Sequence, residues 1–334
     1  MKDLSRYREH YIQLGFDFAK SFILHTAFEL DLFEQIGEAS YSSAELAGRL
    51  RVNSEALEMF LNTLVSLDIL ESQNDIYKIS TNGIEIFLHD KPLYIGDLIK
   101  LQATSVQGWL QLAKSVRNRE PAQLDDDFDG DFQALIDTFA NAMQNAAMSH
   151  AEVLATELSL ESADTLLDLG CGPGTYSAHF LKSHANLKVT LFDRPEILAT
   201  ARKRFTAEKL LERTNFIEGD FLEQNIDRKY DICFISHIIH EYDVATNTRL
   251  LAKIYNSLNS GGRLIIQDFF LNQDKQSPDF ATVFSLQMLL TSPNGACYTL
   301  AETKAWLNEI GFSGIRKLDL NLPRANGIIV AIKP

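Results

Sequence analysis

A strand that runs directly into a glycine-rich turn constrains the fold of this 334-residue chain more than any other feature. The segment reads Thr165-Leu-Leu-Asp-Leu-Gly-Cys-Gly-Pro-Gly-Thr175, with glycines at 170, 172 and 174. Glycine lets the backbone pass within contact distance of a ligand, because there is no Cβ atom to collide with it. A strand, a glycine turn and a following helix therefore predict an α/β domain that holds a ligand against its backbone.

The spacing of these glycines excludes two common phosphate-binding loops. A dinucleotide fingerprint has the spacing G-x-G-x-x-G, whereas the third glycine here is Gly174 and Thr175 follows it. A Walker loop ends in Gly-Lys-Ser/Thr, and that triplet does not follow. The loop is therefore predicted to bind neither a pyrophosphate nor a triphosphate in the usual way.

Hydrophobic periodicity divides the chain into two parts. Apolar residues recur at three- and four-residue spacing up to about residue 155, which predicts helices. The segment Asn118–Gly130 interrupts this pattern and is predicted to be a solvated loop. Short apolar runs then alternate with helical stretches, which indicates βαβ units and a buried parallel sheet. The predicted strands include Leu166–Leu169, Val189–Phe192, Ile232–Ile235 and Leu264–Ile266.

The helical part contains the pattern of a winged helix-turn-helix. A cap at Ser42 and Ser43 precedes a short helix, a second cap precedes a helix over Glu55–Leu67, and two β-prone runs follow at Ile69–Glu71 and Ile76–Ile79. Such a motif is typical of DNA-binding proteins, so a regulator that senses a nucleoside remains an alternative function. However, residues 54–65 contain two glutamates and no lysine or arginine, and the chain has a net charge of -14.

A structural or dimerising role therefore fits this part better than DNA binding. Its helices carry many apolar residues near positions 16–33, which would leave too much apolar surface uncovered in a monomer. We expect a homodimer that forms through the N-terminal half, and no nucleic-acid partner. The residues that carry this expectation are Phe16, Phe18, Phe22, Leu24, Phe28, Leu32 and Phe33.

The positions of the cysteines and the lengths of the apolar runs argue against several further classes of protein. Cys171, Cys233 and Cys297 are widely separated, which argues against a disulfide framework and against a zinc cage. The N-terminus lacks the uninterrupted apolar core of a signal peptide, and no later run is long enough to span a membrane. We therefore expect a cytoplasmic protein without metal and without a membrane partner.

Acidic residues end the strands that follow the glycine loop. Asp193 closes the second strand, where its carboxylate can accept two hydrogen bonds from a ribose diol and would repel a sugar phosphate. Asp220 ends the third strand, placed to accept from an exocyclic amine, with Phe221 beside it as an apolar contact. Each acid alone could cap the next helix. Together with the loop they predict a nucleoside ligand without a 2′-phosphate.

These motifs resemble those of the S-adenosylmethionine-dependent methyltransferases, and the winged-helix half makes the chain similar to the small-molecule O-methyltransferase family. The resemblance implies a class I methyltransferase Rossmann-like seven-stranded sheet, its last strand Gly327–Ile332 antiparallel, with an N-terminal all-helical winged-helix dimerisation domain. It implies domains at 1–100 (dimerisation), 101–158 (helical, substrate-lining) and 159–334 (cofactor-binding). The cofactor residues it implies are Asp168, Gly170, Gly172, Gly174, Asp193, Asp220, Phe221 and Ser236.

The resemblance also implies which residues surround the methyl acceptor. Trp109 matches a family position weakly, Met143 matches a methionine that packs on the substrate, and Met288 is an apolar position expected to shape the same pocket. His240 occupies the place of the histidine in the family's Leu-His-Asp-Trp motif. An imidazole is suited to take a proton from a hydroxyl at neutral pH. His237 has no family role and is expected to be an ordinary loop residue.

Two acids orient the histidine in this family. One matches Asp268, which lies at the end of the fifth strand, 28 residues beyond His240. The second falls where this chain has Cys297, so conventional O-methylation is not the only outcome. The main hypothesis is a homodimeric O-methyltransferase that acts on a small aromatic acceptor with His240 as base. The alternative within the same fold is C- or N-methylation, or a hydroxylation in which the cofactor is structural.

Overall fold

The computed structural model describes residues 2–123, 132–320, 322–324 and 326–334. It consists of two compact units, which cover residues 1–105 and 106–334. The predicted loop Asn118–Gly130 falls in the second unit. A helix ends at Asn118 and the Ala122 N–H donates to Leu290 O at 2.9 Å, while the loop from 124 onward lies outside the described residues.

The first unit contains the predicted winged helix. Ser42 and Glu45 form a reciprocal capping box at one helix, and the Asn53 side chain caps the next by accepting from Ala56 N–H. The strands β1 (Tyr41–Ser42), β2 (Leu70–Gln73) and β3 (Ile76–Ile79) form an antiparallel sheet in the order β1-β3-β2, so the unit contains strands and is not the all-helical domain that the resemblance implies. Its elements are α1 Lys2–Phe16, α2 Phe18–Glu29, α3 Leu32–Ile36, β1 Tyr41–Ser42, α4 Ser43–Leu50, α5 Ser54–Ser66, β2 Leu70–Gln73, β3 Ile76–Ile79, α6 Thr81–Phe87 and α7 Gly96–Thr104.

The apolar residues of the first helices divide between surface and core. Phe16 and Phe18 are 64% and 62% exposed, and Phe22 is also exposed. By contrast, Phe28 and Phe33 are buried with their ring centroids 4.9 Å apart, and they belong to the core of this unit. The apolar surface predicted from the sequence is therefore carried by α1 and the start of α2.

The second unit is a seven-stranded sheet in the order β6-β5-β4-β7-β8-β10-β9. Strands β4 to β8 pair in parallel, and β10 is antiparallel to both of its neighbours, which confirms the fold predicted from the resemblance. The strands are β4 Thr165–Leu169, β5 Lys188–Asp193, β6 Thr214–Glu218, β7 Tyr230–Ser236, β8 Leu258–Phe269, β9 Ser313–Leu318 and β10 Asn326–Ile332. The helices are α8 Val106–Trp109, α9 Leu112–Asn118, α10 Phe132–Glu157, α11 Thr175–Ser183, α12 Pro195–Ala207, α13 Val244–Ser257, α14 Asp279–Thr291 and α15 Leu300–Ile310, with 3₁₀ turns at Leu211–Arg213 and Ile239–Glu241.

The sheet is buried on both faces, as continuous apolar strands require. Residues 166–169 of β4 are all buried, and separate apolar clusters cover the two faces of the sheet. Chain order reverses at β4, which has β5 on one side and β7 on the other. Such a switch point opens a crevice at the carboxyl ends of the strands, and this is where the candidate residues are found.

Within the described part of the chain, no helix is both long and apolar enough to cross a bilayer.

Candidate active site

The glycine loop after β4 adopts a conformation that side chains other than glycine rarely accept. Gly170, Gly172 and Gly174 have φ angles of +71°, +55° and +72°. A Cβ at Gly170 would lie 2.3 Å from Ile238 Cδ1, and one at Gly174 would lie 2.7 Å from Phe205 Cε2. At Gly172 a Cβ would meet no atom within 4 Å, so the middle of the loop faces open space. The loop is therefore packed at its two ends and open at its centre.

Two carboxylates support this loop, the buried Asp168 and the half-buried Asp193. Asp193, at the end of β5, accepts hydrogen bonds from the backbone N–H of Gly172 and of Arg194, both at 2.8 Å. Asp168, which is 2% exposed, accepts a hydrogen bond from Ser177 Oγ at 2.7 Å. Burial raises the pKa of both groups, and it raises that of Asp168 to about 7. A cationic or hydroxyl-rich ligand would offset this cost.

Several aromatic rings lie near Asp220, the acidic residue that follows strand β6. Asp220 is exposed and accepts from Leu222 N–H at 2.8 Å. The Phe221 ring lies between Phe192 and Tyr242, with a centroid distance of 6.3 Å to each. Tyr242 is half-buried, and it was not among the residues predicted for the site. A carboxylate next to aromatic rings matches the polar edge and flat face of a nucleobase.

These residues together fit S-adenosylmethionine. The open centre of the glycine loop allows close backbone approach, Asp193 accepts a hydrogen bond from the loop, and Asp220 lies next to Phe221 in the sequence. Ser236, the remaining predicted cofactor residue, ends β7, and its Oγ donates to Gln267 Oε1 at 3.1 Å. The loop and the acids thus come together at one edge of the sheet.

His240 and Asp268 form a buried pair at the same edge. His240 Nδ1 and Asp268 Oδ1 are 2.7 Å apart, and the two side chains are 5% and 1% exposed. Burial disfavours the imidazolium, but the charges of Asp268 and Glu241 outweigh it and raise the pKa of His240 to about 10. Burial likewise opposes ionisation of Asp268, and the nearby His240 reverses that effect and lowers its pKa.

Aromatic rings enclose this pair. The Phe284 centroid lies 5.0 Å from that of His240, and the Phe269 ring is nearly parallel to His240 with centroids 6.1 Å apart. Phe280 extends the cluster, 4.9 Å from Phe269. The surroundings of the imidazole are thus apolar on its faces and charged at its nitrogen atoms.

The backbone that carries His240 is held at four successive carbonyls. Asn247 Nδ2 donates to the carbonyls of residues 239 and 242, at 2.8 and 2.9 Å. The His240 carbonyl accepts from Ala296 N–H at 2.9 Å, and that of Glu241 accepts from Ser292 Oγ at 3.1 Å. Because every carbonyl from 239 to 242 is engaged, the position of the imidazole is fixed from outside the short 3₁₀ turn.

The three predicted acceptor residues lie on three different helices. Trp109 on α8 donates from Nε1 to Gln287 Oε1 on α14 at 2.7 Å, beside Met288. Met288 is buried against Gly295, in the segment that hydrogen-bonds to His240. Met143 is half-buried on α10, and no described contact joins it to His240. The structure therefore places Met288 next to the segment that contacts His240 and Trp109 next to Gln287. The assignment of Trp109, Met143 and Met288 to the acceptor stays a prediction.

A chain of buried polar side chains that was not predicted from the sequence links α10 to the sheet. Gln267 Nε2 donates to Asn326 Oδ1 at 3.1 Å, and Asn326 Nδ2 lies 3.3 Å from His150 Nε2. His150 is 3% exposed. No local pattern marks these residues, because Gln267, Asn326 and His150 lie on three elements that are distant in sequence.

His237 and Cys297 lie close to the pair without joining its hydrogen bonds. His237 Nδ1 is 4.0 Å from Asp268 Oδ1, and its ring packs on Phe269. Burial lowers the pKa of His237, which keeps its ring neutral. Cys297 is buried and free, and burial raises the pKa of its thiol to about 12. Cys297 therefore supplies no negative charge at the site.

Comparison with known protein families gives two matches along the chain. Residues 128–313 match an O-methyltransferase domain, and residues 12–83 match an O-methyltransferase dimerisation domain.

Among curated relatives, the tetracenomycin polyketide synthesis 8-O-methyl transferase TcmO of Streptomyces glaucescens is 30% identical over 324 residues, which cover 93% of each chain. The 3-hydroxy-5-methyl-1-naphthoate 3-O-methyltransferase of Streptomyces sahachiroi is 27% identical, over 94% of this chain and 92% of its own. Among solved structures, human N-acetylserotonin methyltransferase in complex with S-adenosylmethionine superimposes with a TM-score of 0.87 at 23% identity, over 97% of both chains, which shows the shared fold.

Proposed function

Because the chain belongs to the S-adenosylmethionine-dependent O-methyltransferase family, we propose that it methylates a hydroxyl of a small aromatic acceptor with His240 as general base. The enzyme class, the cofactor and the small-molecule substrate follow from membership in the family. The base and the aromatic nature of the acceptor are our proposal. The observation that carries it is the buried His240–Asp268 pair, 2.7 Å apart and enclosed by aromatic rings.

Methyl transfer to a hydroxyl needs a group that accepts the hydroxyl proton. The cofactor supplies an electrophilic methyl group on a sulfonium, and the acceptor oxygen must lose its proton as it attacks. Asp268 holds Nδ1 of the imidazole, so Nε2 is the nitrogen that can face the acceptor. A positioned base of this kind contributes roughly 10²–10⁴-fold in rate.

The raised pKa of His240 suits the removal of a proton from an aromatic hydroxyl. Asp268 and Glu241 raise the pKa of His240 to about 10, against the effect of burial. A phenol has a pKa of about 10 as well, by analogy with tyrosine, so the proton is shared between oxygen and Nε2 at little cost. An aliphatic alcohol is a far weaker acid and would not yield its proton to the same base. This match favours phenols as acceptors.

The rings around the base also favour an aromatic acceptor. Phe269, Phe280 and Phe284 form a cluster with centroid distances of 4.7 to 5.9 Å. Aromatic pairs at such distances contribute roughly 0.5–1.5 kcal/mol beyond area burial. Trp109 and Met288 extend the apolar lining. The relatives named above for a tetracenomycin polyketide and for a naphthoate support the same substrate class.

We assign the cofactor residues by their positions. Asp193 would accept from the ribose diol, Asp220 and Phe221 would bind the adenine, and Gly170, Gly172 and Gly174 would allow the backbone to contact the ligand. Asp168, behind the loop, would interact with the charged end of the cofactor, and Ser236 would line the site. Support comes from the hydrogen bond that joins Asp193 to Gly172 and from the open space at Gly172.

The proposal extends to the division of the chain into domains and to its assembly as a homodimer. We propose a dimerisation domain over 1–100, a helical acceptor-lining region over 101–158 and a cofactor-binding domain over 159–334. The match to a dimerisation domain supports a homodimer. The exposed rings of Phe16, Phe18 and Phe22 provide an apolar surface for it.

An acceptor screen with a donor that carries a trideuteromethyl group tests the proposal. Phenols, anilines and aliphatic alcohols are incubated separately, and products are identified by mass and by the position of the label. We expect the label on oxygen, with phenols as the preferred acceptors. Cys297 in place of the family acid favours a second candidate, N- or C-methylation, which would place the label on nitrogen or carbon instead. Preference for aliphatic alcohols would contradict the proposal.

A further inference from the structure

We propose that Glu241 takes the proton from His240 after methyl transfer and passes it to solvent. The proposal rests on the function given above to His240, and it concerns the recovery of the base between turnovers. It makes Glu241 a residue that acts through His240.

The histidine has no direct route of its own to water. Its side chain is 5% exposed, and Asp268 occupies Nδ1. Phe269 and Phe284 lie beside the ring. Nε2 is the remaining nitrogen, and Glu241 Oε1 lies 3.5 Å from it.

The two carboxylates at the imidazole differ in their access to solvent. Asp268 is 1% exposed, so a proton passed to it would stay inside the protein. The Glu241 side chain is 48% exposed, so it contacts both the ring and bulk water. Glu241 thus connects the base to the solvent, and Asp268 orients it.

No other titratable side chain described around the pair is suited to this role. Burial keeps His237 neutral by lowering its pKa and keeps the Cys297 thiol protonated by raising its pKa to about 12. Tyr242, next to Glu241, also stays protonated, because burial raises its pKa to about 12. Glu241 is therefore the second carboxylate at the imidazole. In the family pattern the second acid lies at the position of Cys297, which carries no charge here.

The side chain of Glu241 can leave Nε2 and return while its backbone stays fixed. Its N–H donates to Ile238 O and its carbonyl accepts from Ser292 Oγ, both at 3.1 Å. The distance of 3.5 Å to Nε2 is longer than a normal hydrogen bond. An acceptor hydroxyl can therefore take the place of the carboxylate at Nε2, and the carboxylate can approach again once the product has left.

The proton balance of the cycle is complete. As the acceptor oxygen bonds to the methyl group, the sulfur–methyl bond breaks, the sulfonium becomes a neutral thioether, and the hydroxyl proton moves to Nε2. The imidazolium then gives this proton to Glu241 Oε1, and the carboxylic acid loses it to water. Neither an oxidant nor a further reactant is needed.

Rapid mixing of the full-length Glu241→Gln enzyme with donor and a phenol acceptor tests the proposal. Glutamine has the same shape but cannot accept the proton. The enzyme is first equilibrated at a pH above about 10, so that His240 starts deprotonated, and is then mixed to a final pH of about 8. We expect a first turnover no slower than in the wild type, followed by a steady-state kcat about tenfold lower, so that product appears as a burst of one equivalent per active site. Glu309→Gln, which removes the same charge from α15, serves as the control and should show no burst.

A second variant separates proton removal from packing. Glu241→Ala leaves room for a small carboxylate, and we expect formate or acetate to restore kcat in proportion to its concentration, with the affinity for the cofactor unchanged. Loss of one negative charge also lowers the pKa of His240, so the rise of kcat/KM with pH should move to lower pH.

Three results would overturn the inference: a steady-state kcat equal to wild type in Glu241→Gln, a first turnover slowed as much as later ones, or no response to formate and acetate. The failure of the proposed function is a different result. It would appear as an unchanged rate in His240→Ala, whereas the inference fails alone if His240→Ala is inactive and the Glu241 variants behave as wild type.

Discussion

The proposed cofactor region, around the glycine loop and Asp193, and the proposed acceptor region, around His240 and Asp268, lie at the same sheet edge but are built in different ways. In the first, the backbone of Gly172 and the carboxylate of Asp193 are joined by a 2.8 Å hydrogen bond at adjacent strand ends. In the second, the His240–Asp268 pair is surrounded by rings from other elements, including Phe284 on α14. The first region depends on main-chain geometry, and the second on packed side chains.

Because of this difference, we expect cofactor affinity and acceptor turnover to depend on different residues. The proposed cofactor region consists of backbone and carboxylates whose positions are set by the ends of the strands. The acceptor region can change its shape through residues such as Trp109 and Met288 without disturbing the glycine loop. Substitutions should therefore affect cofactor affinity or acceptor turnover, but rarely both.

The largest effect is expected for His240→Ala. It removes the group that takes the acceptor proton, so kcat for a phenol should fall by about 10²–10⁴-fold. Cofactor affinity, measured by calorimetry, should stay at the wild-type value, because the imidazole belongs to the acceptor region. A parallel loss of cofactor affinity would show that the two regions are not separable.

Asp193→Ala should have the opposite effect, weakening cofactor binding while largely preserving turnover. Losing a charge-assisted pair of hydrogen bonds is expected to weaken S-adenosylmethionine binding by about 2–3 kcal/mol. At saturating cofactor the turnover should recover. Asp319→Ala, which removes an exposed carboxylate, is the control and should bind normally. Tighter binding of a dinucleotide than of S-adenosylmethionine would contradict the assignment of the whole region.

Asp268→Asn should reduce kcat by about tenfold, or about 1.4 kcal/mol, which is less than the loss in His240→Ala. The amide oxygen can still accept from Nδ1–H, but the charge that stabilises the imidazolium is gone. In the wild type, kcat/KM for a weakly acidic phenol should rise with pH towards about 10, because the free ring must lose its proton to act as base. In the variant this rise should occur at lower pH, and an unshifted profile would exclude coupling of the two groups.

Cys297→Glu should have the smallest effect. It restores the second acid of the family pattern near the pair, and we expect a change in kcat of only a few fold, with normal cofactor affinity. The free energy of unfolding by urea should be measured beside it, because a buried carboxylate without a partner destabilises a protein. Loss of all activity in a folded variant would show that Cys297 has a role that a carboxylate cannot replace.

The two regions also differ in how far the sequence predicted them. The glycine loop and the acids at 193 and 220 could be identified because each follows a strand and has a local signature. The seven-stranded sheet and its antiparallel final strand were expected from the resemblance to the methyltransferase family, and both are confirmed.

The acceptor region was less predictable, because its contacts join distant segments. The hydrogen bond from Trp109 to Gln287, the Gln267–Asn326–His150 chain and the contact of Glu241 with His240 have no signature in spacing or periodicity. They depend on how helices pack on the sheet, which a single sequence does not specify. The N-terminal rings show the same limit, because the apolar pattern did not separate the buried Phe28 from the exposed Phe18.

The central claim is that His240 removes the proton of an aromatic hydroxyl. The most direct test is the ratio of kcat/KM between wild type and His240→Ala for a series of phenols with pKa values from about 7 to about 10, at one pH near 8. We expect a ratio of about 10²–10⁴ for the weakest acids, which falls to a few fold for phenols that are already ionised. A ratio that is the same for all phenols, or close to one throughout, would contradict it.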